Sequence, residues 1–362
     1  MTERFYVDFH VLQTVPPSNV NRDDMGSPKT AVYGGVTRAR VSSQAWKRAM
    51  RVYFRENSLF PSEQLGERTK RIVEKVAEQI HTLDAGADAE KMAADALNKA
   101  GLKIKSVDKG TDALFFMSAG QASALAALAV AGEKDAKRYK AALKEVPSVD
   151  IALFGRMVAD DPSLNYDASA QVAHSISTHA VQNEYDYFTA VDDRSPKDNA
   201  GAGHLGTVEY NSSTLYRYAT VNVTELFDNL GVETSHAVRG FAEAFIQSMP
   251  TGKQNTFANR TPAAMVYAAI RRDQPVNLVG AFETPVRMDD GGGYEALSEE
   301  RFVSYAKKVY QSAVLEPEKA MGVSLHGKLA DIPGTVLSST SALLDTLERE
   351  VAKRLDIGKG KQ

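Results

Sequence analysis

Phe5, Val7, Phe9 and Val11 recur at every second position with Asp8 and His10 between them, a period that predicts a half-buried strand over residues 4–13. From Thr14 to Gly35 the chain is rich in Pro, Asn, Asp, Ser and Gly and is expected to be a long loop. VTRARV, residues 36–41, is expected to be a short strand with Arg38 and Arg40 on one side. Ser42 or Ser43 can then cap a helix that runs to about Glu56. Residues 57 to about 147 change character: ERTKRIVEKVAEQI, DAEKMAADALNKA and SALAALAVAGEKDAKRYKAAL carry helical periods, with one strand-like stretch at DALFFM. Strand character is expected again in VDIALFGRMV and in LGTVEYNSSTLYRYATVNV, the latter as two strands around an Asn-Ser-Ser turn. Tyr185 to Gly206 contains the turn-forming DDRSPKDNAGAG and reads as a protruding flap. HAVRGFAEAFIQSM is expected to be a helix, AAMVYAAI and NLVGAFETPV strands, and the last hundred residues two amphipathic helices before a polar tail. No repeat of fixed period is present.

The chain has 362 residues, 43% of them hydrophobic, enough for one large core or two modest ones. The formal net charge of −3 gives no general attraction to polyanions, so any nucleic-acid surface must come from local clustering. Zero cysteines exclude disulfides, thiolate nucleophiles and cysteine-bound zinc. The charged, alternating start and the lack of any apolar run near 18 residues lead us to expect a soluble cytoplasmic protein.

One segment departs from the average. Between Arg22 and Arg55 stand eight basic residues against two acidic ones, Asp23 and Asp24. On a helical wheel Gln44, Lys47, Arg48, Arg51 and Arg55 share one face, while Trp46, Ala49, Met50 and Tyr53 lie opposite. A solvated helix face is the ordinary explanation of such a stripe, but ordinary surface helices alternate sign to form i,i+4 pairs, and this one has no acids. With Gly and Ser around it, and a helix start supplying NH donors, the segment suits a phosphate backbone.

Other candidates are weaker. Asp23–Asp24 and Asp192–Asp193 are paired carboxylates of the kind that hold divalent ions, but neighbouring strand residues face opposite ways and neither pair has a helical Glu or His partner, so turn-forming or arginine-orienting roles are favoured. His174 and His179 are five apart, which does not suit zinc on a helix. Tyr185, Tyr187, Tyr216 and Tyr218 are able to stack bases, although alternate strand aromatics more often pack. Gly34 and Gly35 lack the Lys and Ser or Thr of a phosphate loop. No cofactor or metal is implied.

VPPSNVNRDDMGSPKTAVYGGVTRARVSSQAWKRAMR resembles the N-terminal signature of the CasC family, the backbone subunit of the type I-E CRISPR surveillance complex called Cascade. The resemblance continues in VDIALFGRM, AHSISTHAV, DYFTAVDD, HLGTVEYNSSTLYRYATVNV and GKQNTFA, in family order; the helical insertion and the C-terminal helices are alike only in character. It implies an α+β fold shaped like a right hand: a palm related to the ferredoxin-like RNA-recognition fold, a helical fingers insertion and a β-hairpin thumb. We expect palm over residues 1–56, fingers over 57–160, and the rest of the palm over 161–362 with the thumb at about 181–212. The resemblance further implies that Asn21, Arg22, Lys29, Arg38, Arg40, Ser42, Gln44, Lys47, Arg48, Arg51, Lys253 and Gln254 hold a CRISPR RNA, and that Met157 and Phe188 wedge beside displaced bases. RSPKDNAGAG departs from the family's thumb in length and composition. The implied partners are CRISPR RNA, target DNA through that guide, further copies of the chain head to tail, and other Cascade subunits, with no membrane. A non-catalytic guide-binding subunit is therefore expected; an endoribonuclease acting on precursor RNA is the alternative, and a structural oligomer with an incidental basic surface a third.

Overall fold

The structure is a computed structural model that describes residues 4–158, 161–190, 194, 205–288 and 293–359. In chain order the elements are β1 (Tyr6–Ser18), β2 (Thr30–Tyr33), β3 (Val36–Val41), α1 (Ser43–Glu56), β4 (Glu67–Thr69), α2 (Ile72–Leu83), α3 (Ala89–Lys99), β5 (Phe115–Met117), α4 (Ala119–Val130), α5 (Ala136–Ala142) and α6 (Val149–Phe154). They continue with β6 (Ala170–Val172), β7 (Ser175–Ser177), β8 (Glu184–Thr189), β9 (Leu205–Asn222), α7 (Val223–Leu230), α8 (Thr234–Gln247), α9 (Gln254–Phe257), β10 (Met265–Arg271), α10 (Tyr294–Ser312), β11 (Lys319–Ser324), β12 (Thr335–Val336) and α11 (Thr340–Lys359). The class is α+β. The described residues divide into two compact units, one made of Tyr53–Gln171 with Val221–Gly240 and the other of the rest.

The second unit is built on a sheet ordered β12-β11-β10-β1-β9-β7-β3-β2. The pairs β1·β10, β10·β11, β7·β9, β3·β7 and β2·β3 are antiparallel and β11·β12 is parallel, so the sheet is mixed. β1 lies at its centre and is covered on both faces, which corrects the expectation of a half-buried strand. Its odd positions meet α8, with Phe9 5.6 Å from Phe241 and 6.3 Å from Phe245 between ring centroids. Its even positions face α10: Leu12 shares a cluster with Tyr216, Tyr267, Phe302 and Ala306. The alternation of polar residues did not mean exposure, because Asp8 and His10 find partners inside. Tyr218 donates to Asp8 Oδ1 at 2.9 Å and the Val276 amide to Oδ2 at 2.8 Å; His10 Nδ1 is hydrogen-bonded to the Tyr216 hydroxyl at 2.8 Å. Burial raises the Asp8 carboxyl to about 6 and lowers the His10 imidazole to about 3, so His10 is neutral in the core at physiological pH.

The helical unit packs α2, α3, α4 and α5 around Ile72, Val76, Ile80, Ala93, Leu97, Leu125, Tyr139 and Leu143. A reciprocal cap between Ser118 and Gln121 starts α4. Arg156 is buried beneath it and donates to Phe116 O, Gln121 Oε1, Leu143 O and Leu164 O at 2.8–3.2 Å, so one guanidinium satisfies carbonyls from four segments. The unit takes in Val221–Gly240 as well as the central insertion.

Several local expectations are corrected. VDIALF is helical, closed by Gly155 at φ +73°; an apolar run this short does not distinguish a buried helix turn from a strand. LGTVEYNSSTLYRYATVN is one strand, not two around a turn. Asn211 and Ser213 are buried in it: Asn211 Nδ2 donates to Asn183 Oδ1 at 3.1 Å, and the next residue's carbonyl, Thr214 O, accepts from the Thr178 amide at 2.8 Å. Polar residues that would turn in solvent stay extended when neighbours satisfy them. Leu278–Phe282 forms a 3-10 turn capped by Asn277 rather than a strand. The supposed loop from Thr14 contains the end of β1 and all of β2, and β2 and β3 are joined through Gly34 and Gly35, both with positive φ as a two-residue hairpin requires. No described helix is long and apolar enough to cross a membrane.

Candidate nucleic-acid interface

The basic segment owes its geometry to short polar links. Asp23 Oδ1 accepts from the amides of Met25 and Ser27 at 3.0 and 2.9 Å, the turn-forming role expected for it. Asn19, buried at the root of this turn, donates to Gly26 O and Glu209 O, both at 2.9 Å. The Lys29 amide donates to Asn21 O and the Arg40 amide to Lys29 O, both at 2.9 Å. Asn21 Oδ1 accepts from the Ser42 amide at 2.9 Å. One asparagine thus ties the loop that carries Arg22, Lys29 just before β2, and the start of α1. Ser42 is the cap, its Oγ accepting from Ala45 N at 3.3 Å, and with its own amide taken by Asn21 it is buried rather than offered to a ligand.

α1 is held by its apolar side. Trp46, Met50 and Phe54 are buried. The Trp46 indole donates to Ser175 Oγ at 2.9 Å, and the Arg217 guanidinium stacks 3.7 Å from its ring centroid. Arg217 is itself buried, donates to Gln13 Oε1 at 2.7 Å and to Phe245 O, and is lowered to about 9 by burial. With that side fixed, the 3.6-residue period leaves Gln44 and Arg48 exposed and Lys47 and Arg51 half-buried on the other flank. Partial burial draws the Lys47 ammonium below its ordinary range.

A distant segment joins the patch. Gly252 packs so closely on Val20 O and Asn19 O that any Cβ there would overlap the Val20 carbonyl. This brings Lys253 and Gln254, more than 230 residues away in sequence, beside the loop of Asn21 and Arg22. Lys253 has left-handed backbone, φ +50° and ψ +24°, and begins the single turn α9. A non-glycine residue is held there only by its surroundings, a strain found most often at working sites. Gly252→Ala is therefore expected to displace Lys253 while leaving both cores intact: affinity for single-stranded RNA should fall about tenfold with unchanged circular dichroism. Unchanged affinity would show that close packing of Gly252 on Val20 is not needed for binding.

Other expected residues go elsewhere. Arg38 is a correction: it is fully buried, with Nε donating to Tyr33 O at 3.1 Å, Nη1 to Ser177 O at 2.8 Å, and Nη2 to Phe282 O and Glu283 O at 2.8 and 3.3 Å. It closes the sheet against the 278–283 turn, with four of its five N–H groups given to carbonyls of the protein. Arg40, two residues on, is half-buried and shares the surface with exposed His174. His179 is a core residue, stacked 3.7 Å from the Tyr294 centroid and accepting from Thr214 N at 3.1 Å. Tyr216 and Tyr218 are core residues too, whereas Tyr185 and Tyr187 are exposed on β8.

Phe188 is 44% exposed, and its ring covers Gly206 across the β8·β9 ladder. Met157, in the helical unit, is 85% exposed directly after the anchored Arg156. Asp192, Asp193 and the middle of the flap, apart from Arg194, lie outside the described residues. Among the described residues no group of three or more His, Asp or Glu is placed to hold a metal.

The sequence pattern described as CT1975-like protein matches residues 7–348. The chain belongs to that family. The resemblance to the CasC family holds in three dimensions. One neighbour in structure, a chain titled "CRISPR RNA-guided surveillance complex, pre-nicking", is 34% identical with a TM-score of 0.79, over 96% of this chain and all of that one. A second, titled "CRISPR RNA-guided surveillance complex", is 29% identical with a TM-score of 0.71, over 95% of this chain and 99% of that one. Both are similar over nearly the whole chain, the helical unit included. A search of curated proteins gives no match.

Proposed function

We propose that this chain is the non-catalytic backbone subunit of a type I-E Cascade, polymerising head to tail along a CRISPR RNA in the cytoplasm. The sheet unit is its palm, a relative of the RNA-recognition fold, the helical unit its fingers, and the β8·β9 ribbon with the segment beyond it its thumb. Asn21, Arg22, Lys29, Arg40, Gln44, Lys47, Arg48, Arg51, Lys253 and Gln254 hold the guide backbone; Ser42 supports them from below. Met157 and Phe188 insert beside displaced bases, so that target DNA pairs with the guide in short runs. Base pairing then reads the sequence while the protein reads backbone and shape.

The observation that carries the reading is the convergence described above: a loop, a strand pair, a helix face and a segment from far along the chain are tied into one basic surface by Asn21 and Gly252. Close relation to chains of RNA-guided surveillance complexes supplies the class of ligand. Co-expression with a CRISPR array and the sister subunits should yield protein carrying RNA of uniform length. If one protomer neutralises about six phosphates, affinity for single-stranded RNA should fall with a log–log salt slope of roughly −4. RNA-free assemblies would favour a structural oligomer, and shortened, heterogeneous RNA would favour a nuclease.

A further inference from the structure

His174 does not suit zinc, yet it stands beside two residues of the basic surface, Arg40 and Lys29. In the antiparallel β3·β7 register Arg40 is opposite Ile176 and Val41 opposite Ser175, which sets His174 just beyond the end of β7 on the Arg40 side. Arg40 Nη1 lies 3.0 Å from His174 Nδ1, and Arg40 Nε donates to Thr30 O at 3.1 Å. A guanidinium has no acceptor, so Nδ1 must offer its lone pair, and the neutral ring then carries its proton on Nε2. From this geometry we infer that His174 is a positioning residue for RNA binding: its neutral imidazole fixes the plane of the Arg40 guanidinium from one side while Thr30 O fixes it from the other, leaving the Nη2 donors for a backbone phosphate.

The electrostatics agree with a neutral ring. Partial burial first, then the positive charges of Arg40 and Lys29, lower the His174 imidazole below its ordinary range. Protonation at Nδ1 would break the Arg40 contact and set two cations side by side. An unsupported arginine loses side-chain freedom on binding, a cost that prior orientation removes. This inference rests on the proposed RNA-binding role.

The test is a double-mutant cycle on the full chain with a labelled single-stranded RNA. His174→Ala should weaken binding about tenfold. His174→Gln, whose Oε1 can accept from Arg40, should restore affinity to within about threefold of the wild type. In an Arg40→Ala background the His174→Ala change should cost almost nothing further. Full affinity in His174→Ala, failure of glutamine to rescue, or an undiminished effect in the Arg40→Ala background would overturn the positioning role. Absence of RNA binding by the wild-type chain would overturn the functional reading, and this inference with it.

Discussion

Reversing Lys47 and Arg51 together to glutamate is expected to abolish recovery of guide RNA with the protein. Two cations on one helix flank become two anions, against a ligand whose affinity comes mostly from neutralised phosphates. A loss of at least about 100-fold follows, with the salt slope flattened by about two. The fold should survive, because the opposite flank of α1, where buried Trp46 bonds Ser175 of β7 and stacks under Arg217 of β9, is what holds the helix on the sheet. The measurement is filter binding at several salt concentrations beside circular dichroism. Retained affinity in a natively folded variant would remove α1 from the interface and leave the loop, the strand pair and Lys253 to account for any binding.

Trp46→Ala is expected to have the largest effect on stability. The substitution empties a site that Trp46 fills completely, removes the ring beneath the Arg217 guanidinium, and breaks the bond to Ser175 Oγ. Large-to-small changes at such sites cost roughly 3–5 kcal/mol, and here a buried cation also loses the aromatic face that partly compensates its burial. Trp46 is the one tryptophan in the chain, so unfolding of the variant must be followed by far-ultraviolet circular dichroism rather than fluorescence. A urea midpoint unchanged within error would mean that the Arg217–Trp46 stack does not hold α1 in place. With α1 loosened, RNA affinity should fall too, although no basic residue has been altered.

The two variants alter one helix at neighbouring positions, 47 and 51 in the first and 46 in the second, and act through different causes. That difference was readable in advance: the 3.6-residue period of SQAWKRAMRVYFRE separates an apolar side from a cationic one whatever the helix rests on. The helices of the insertion, the cap at Ser42 and the turn at Asp23 were legible for the same reason, since each depends on residues within a few positions of one another. What local pattern could not supply was the identity of the neighbour. Arg38 and Arg40 look equivalent on a strand, yet one is sealed under the 278–283 turn and the other opens to solvent beside His174. Asp8 and His10 alternate like surface residues, yet α10 covers them and burial alters their protonation. Asn-Ser-Ser has the composition of a turn and continues as a strand, because Asn183 accepts from the Asn211 side chain and Thr14 and Thr178 hold Thr214 directly after it. The approach of Gly252 to Val20 has no local signature at all. Periodicity and capping are properties of consecutive residues, and so the chain declares them by itself; burial, the partner of a buried charge and the meeting of segments more than two hundred residues apart exist only once the sheet has closed.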